Sequence, residues 1–176
     1  MSTVLSVAFI ATAFVVLFWL VIACIISQYN SRKRLERQLH LYNAETNVHC
    51  AMLFVRADRH GMYERLTAVN CAIIAIRHYI LSNEPMSRVN AGIAVCTHLL
   101  KYTAWTTTMS EEYVEQAVKT LANLQKLHEQ VTNTYTTVCL SINLQVLIDT
   151  IDGMRYMLLS RLSEAALNDK LAQAYK

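Results

Sequence analysis

The sequence predicts an all-α protein: an N-terminal transmembrane helix that continues into an antiparallel helical bundle with long helices. Three observations predict it. Residues 4–26 are an almost unbroken apolar run. Beyond that run, apolar residues recur at alternating steps of three and four, the spacing of a helix face. The 176 residues include only three Gly and one Pro, the residues that supply positive φ and fixed bends, so turns are few.

The first helix rests on VLSVAFIATAFVVLFWLVIACII, interrupted only by Ser6 and Thr12. A helix of that length rises about 34 Å, enough to cross a hydrocarbon layer about 30 Å thick. No Lys, Arg, Asp or Glu precedes Arg32. Tyr29 falls where an interfacial aromatic is expected. A cleaved signal would carry a basic start and a shorter apolar stretch, and neither is present. Val21-Ile22-Ala23-Cys24 is similar to a lipobox, but Ile25-Ile26 continue the apolar run past it. The expectation is a retained anchor over residues 1–28 and a helical bundle domain over 29–176. Arg32, Lys33, Arg34 and Arg37 flank the anchor, and the positive-inside bias places the bulk of the chain in the cytoplasm. Five Cys without paired spacing agree with a reducing compartment.

The remaining elements follow in order. Leu35, Leu39, Tyr42, Thr46, His49 and Leu53 form a seam with no Gly or Pro before Gly61, so the first helix is expected to reach about Arg59. Gly61 is its predicted αL cap. Leu66, Val69, Ile73, Ile76 and Ile80 mark a second helix, widened by Ala72, Ile74 and Ala75 into one buried on most sides. Ser82-Asn83-Glu84-Pro85 ends it. Met86, Val89, Ile93, Cys96 and Leu100 mark a third. Residues 103–109 (TAWTTTM) read as a loop, with Ser110 as N-cap and Glu111 and Glu112 in the next first turn. A long helix is then expected. Its heptad positions are Val114, Leu121, His128 and Tyr135 in one row and Ala117, Leu124 and Val131 in another, continuing through Val138, Ile142, Gln145 and Asp149. Asp152-Gly153 reads as a turn before a last helix from Met154 to about Ala174.

Little chemistry is legible. A charge of +3 is too mild for nucleic-acid binding by bulk electrostatics. Three Gly leave almost no room for a phosphate-cradling loop. No signature of nucleophilic or paired-carboxylate catalysis occurs, so the chain is not expected to be an enzyme or to hold a cofactor or small-molecule substrate. The nearest metal-like spacings are His49-Cys50 and Cys96-x-His98. Adjacent helical residues point about 100° apart, so His49 and Cys50 do not share an ion. His49 and His128 both fall on apolar seams, where a buried imidazole needs a partner of the Tyr42 or Gln145 kind. Six Met beyond the first residue fit core filling better than a soft recognition surface.

Tyr29-Asn30 after the anchor, Asn47-Val48, and the spacing of Leu124-Gln125, Asn133, Asn143 and Val146 resemble the LemA family, as does the layout of a short N-terminus, a membrane helix and a helical domain. The chain departs from that family's Arg-rich run before Asp-Leu-Ile-Pro, having Ala51 to Asp58 there, and from its late aromatic-Pro, having Ile151-Asp152-Gly153. The resemblance implies a membrane-bound helical protein without an established active site.

The functional expectation is a membrane-tethered scaffold or adaptor that binds other proteins through a helical face, self-association included, with the lipid bilayer as its other partner. Two alternatives stay open. One is a subunit of a larger membrane complex, with Ile73-Ile74 or Leu144, Val146 and Leu147 as interface. The other is a small sensor using His128 or the thiols.

Overall fold

A computed structural model describes residues 2–56, 61–82, 86–102, 113–133 and 144–174. Almost all of them lie in five helices: α1 (Ser2–Arg56), α2 (Met62–Ser82), α3 (Met86–Tyr102), α4 (Val114–Asn133) and α5 (Leu144–Ala174). The described residues include no strand, and the fold is all-α. The predicted loop at 103–109, the Ser110 cap, and Tyr135, Val138 and Ile142 of the predicted heptads lie outside the described residues.

The chain divides into two compact units, Met1–Gln38 and Leu39–Lys176. The first is the N-terminal part of α1. Phe14, Trp19 and Ile25 there are 68%, 64% and 61% exposed. Among the described residues, α1 is the one helix long and apolar enough to cross a membrane. The Lys33 ammonium lies 5.6 Å from the centre of the Tyr29 ring, a pairing across one helical turn.

In the second unit, α2 packs beside α3 and α4, and α5 beside α4 and α3, so four helices close a ring around a common core. Leu66, Val69, Ile73, Ile76 and Ile80 of α2 are all buried, as the spacing predicts. So are Val89, Ile93, Cys96 and Leu100 of α3. Tyr79 of α2 meets Gly92 of α3, occupying the space a Cβ at Gly92 would need. Asn70 bonds to Thr120 and Asn123, and Arg77 to Gln130, so α2 and α4 run parallel with a constant offset.

Three expectations are corrected. The seam of α1 is not buried. Leu39, Tyr42 and Leu53 are 57%, 67% and 68% exposed, while Leu41, Ala44 and Ala51 are 7%, 0% and 0% exposed. Periodicity tells which residues share a face; it does not tell which face meets the bundle. Small Ala44 and Ala51 admit a close helix approach that the bulkier seam would hinder.

The predicted end of α1 near Arg59 lies outside the described residues, and Gly61 is described at the start of the next helix. It opens α2: its carbonyl accepts the Arg65 amide at 3.2 Å, and the Glu64 carboxylate folds back over it. An acid at that position complements the helix N-terminus, and Gly is tolerated as N-cap.

The long heptad run is not one helix. Its early positions belong to α4 and its late ones, Gln145 and Asp149, to α5, which packs back against α4. Within α4 the buried set is Ala117, Thr120, Leu124, Leu127 and Val131. Thr120 and Leu127, rather than Val114 and Leu121, complete the inner face. Folding back buries both stripes, which a straight rod would leave open.

Asp152-Gly153 is not a turn, because α5 runs through it. Leu147, Ile151, Met154 and Leu158 are buried on one continuous face, and that burial outweighs the roughly 1 kcal/mol that Gly costs in a helix.

Candidate functional site

The basic residues picked out by sequence all lie on α1, with Arg32, Lys33 and Arg34 exposed and Arg37 half-buried. Because consecutive helical residues differ by about 100° in direction, the four spread over roughly 200° of the helix surface rather than forming a stripe. Glu36 is the one acid among them.

Farther along the same helix lies the outward face of Leu39, Tyr42, Thr46, His49 and Leu53. The Thr46 hydroxyl donates to the Tyr42 carbonyl at 2.9 Å, so its hydrogen bond is met inside the helix. The face is therefore more apolar than its composition implies. It lies opposite the one buried through Leu41, Ala44 and Ala51.

On its other flanks α1 is held by polar contacts. His40 Nδ1 and His78 Nδ1 of α2 are 3.0 Å apart, with ring centres 5.2 Å apart. One ring must donate and the other accept, so a neutral pair satisfies this contact and two protonated rings cannot. Burial, then His40, then Arg77 hold the His78 pKa below the ordinary 6.5. Arg88 of α3 forms an ion pair with Glu45 of α1. The two histidines are 38 residues apart in sequence and carry no local signature. Sequence reading missed them and singled out His49 and His128 instead.

His49 is exposed. His128 is half-buried, and its partner is neither Tyr42 nor Gln145: its Nε2 lies 3.6 Å from Asp152 Oδ2 on α5. Gln145 instead donates to Asp149 at 2.7 Å. Asp152 also accepts from Arg155 at 2.9 Å, so one carboxylate ties α4 to α5.

Between α2 and α4 a donor chain runs in one direction. Asn123 donates to Asn70 at 3.1 Å, Asn70 to Thr120 at 3.0 Å, and Thr120 to the Gln116 carbonyl at 2.9 Å. A polar chain with each member satisfied fixes register without leaving a reactive group.

The thiols divide by environment. Cys96 is fully buried, and burial pushes its pKa up to about 12. Its sequence neighbour His98 is exposed, so the two do not converge. Burial, then Cys50, raise the Cys71 pKa. Cys24 is exposed and Cys50 half-buried. Among the described residues no three His, Cys, Asp or Glu side chains gather around a possible ion. An open cleft of about 380 Å³ lies between Leu100 of α3 and Val146, Asp149, Gly153, Met154 and Met157 of α5. Its lone carboxylate, Asp149, is already bonded to Gln145.

No family model matches the chain, nor does any curated protein or solved structure.

Proposed function

We propose that the chain is a non-enzymatic, single-pass membrane scaffold or adaptor, with its helical unit in the cytoplasm and its binding face on α1. The observation that carries this reading is the outward stripe of Leu39, Tyr42 and Leu53, kept in solvent on a helix whose opposite side is buried. Large apolar side chains repeated at helical spacing are the usual anchors of helix-on-helix recognition. The unbroken apolar run of residues 4–26 supplies the tether, and Arg32, Lys33, Arg34 and Arg37 orient it. The LemA-like layout fits the same reading. The lipid bilayer is the second partner, with roughly 1 kcal/mol of attraction to anionic headgroups for each basic residue at its surface.

The test is purification of the full chain in mild detergent beside the Leu39→Glu, Leu53→Glu double variant. Proteins that travel with the wild type and are lost from the variant are the expected result. An unchanged set of companions rejects the face. Cys50 in intact cells reports topology, because labelling there by a membrane-impermeant reagent rejects the cytoplasmic assignment.

A second reading, a subunit packed within a larger membrane complex, loses Ile73 and Leu147 as interface residues, since both are buried, and draws support from elsewhere on α5. Tyr156, Leu159 and Leu167 of that helix are 75%, 53% and 59% exposed. It expects that Leu159→Glu and Leu167→Glu, rather than the α1 substitutions, release the companions.

A further inference from the structure

We propose that the outward face of α1 is a short parallel coiled-coil seam and that its occupant is a second copy of this chain. The proposal rests on the scaffold reading above and names the partner of that face. Leu39, Tyr42, Thr46, His49 and Leu53 follow steps of three, four, three and four, which are alternating a and d positions over two heptads. A seam of period 3.5 fits another helix at a shallow crossing angle. It does not fit a sheet edge or a compact pocket.

Three features favour a copy of the same chain over an unrelated helix. The partner needs a seam of the same phase at the same height, and an identical chain has one by construction. Leu39 follows Ile26 by thirteen residues in every copy, so two copies anchored in one bilayer carry their seams with the same polarity and at the same sequence distance from the anchor. The flanking positions are Asn43, Glu45, Cys50 and Met52. Glu45 is their one charge, and it is neutralised by Arg88 of its own chain. No like charges therefore oppose each other across the pair. The buried Leu41, Ala44 and Ala51 lie on the far side of α1, so the bundle and the second copy use opposite faces.

Size sets the conditions. From Leu39 to Leu53 the seam rises about 21 Å on a helix about 10 Å across. That strip is well below the roughly 800 Å² per partner of a stable soluble complex. Confinement to one membrane plane in one orientation raises the effective concentration and cuts the entropy lost on pairing. The dimer is therefore a property of the membrane-bound chain.

The experiment places a photoactivatable amino acid at Tyr42 of the full chain in its native membrane. The expected product is a covalent homodimer, reduced at least tenfold by Leu39→Glu with Leu53→Glu and unchanged by Leu159→Glu. Both seam positions are more than half exposed, so the variants keep their helicity and melting temperature, which circular dichroism checks. An adduct to a different protein overturns the self-association proposal and leaves the scaffold reading standing. No adduct at all overturns both. A homodimer that survives both seam substitutions assigns pairing to another surface and overturns this one.

Discussion

Glycines show how one residue type carries opposite meanings. At Gly92 a Cβ would collide with the ring of Tyr79, which is 5% exposed and cannot swing away. Gly92→Ala is expected to destabilise the fold by about 1–3 kcal/mol through overpacking. At Gly153, helical and exposed, a Cβ would meet nothing within 4 Å. Gly153→Ala is expected to stabilise by about 1 kcal/mol, since Ala loses less backbone freedom in a helix. Thermal melts of the two variants should move in opposite directions. Thiol labelling of the folded chain separates the cysteines in the same way. Cys96, buried and with its pKa near 12, should react only after unfolding, whereas the half-buried Cys50 reacts in the folded chain. None of this was legible in the sequence, where Gly153 beside Asp152 looks like a turn. What decides each case is the neighbour, or lack of one, at the missing Cβ.

Helix pairs hold in register through polar contacts that a hydrophobic pattern does not foretell. Asn70 bridges Thr120 and Asn123, so Asn70→Ala removes one donor and one acceptor at once. The expected cost is about 1–3 kcal/mol, measured by denaturant unfolding, with a wild-type slope. Between α1 and α2, the His40–His78 contact makes stability depend on pH. The folded His78 pKa lies below the ordinary 6.5, so the unfolded chain binds a proton more readily. Stability is then greatest above about pH 6.5 and falls as pH drops through that value toward the lower folded pKa. His78→Asn should flatten that slope, and an unchanged slope would place the titration elsewhere. The apolar stripes of α2 and α3 were readable because their burial follows their spacing. The run from Val114 to Asp149 was misread as one rod because two stripes separated by a reversal happened to keep phase.

For the whole molecule the decisive quantities are the apolar N-terminal helix and the charge beside it. Replacing Arg32, Lys33, Arg34 and Arg37 by Gln removes four positive charges and leaves Glu36. Adsorption to anionic vesicles should weaken and lose its salt dependence, and orientation should become mixed, both measurable by co-sedimentation and protease protection. Equal binding by the neutral variant would show that the basic cluster contributes nothing at the surface. The clustering of charge after an uncharged start is a property of sequence order alone.

Local order thus set the helical class, the apolar N-terminal helix, the basic run after it and the stripes of α2 and α3. These depend on spacing within one turn or on composition over some twenty residues, and both are written along the chain. Tertiary structure decided the outward turn of the Leu39–Leu53 stripe, the return of α5 against α4, the partner of His128 and the meeting of His40 with His78. Each is a contact between segments far apart in sequence, and a residue cannot announce which distant face it will touch. The α1 seam was found by its period; that it is left bare follows only from Ala44 and Ala51 having taken the buried side.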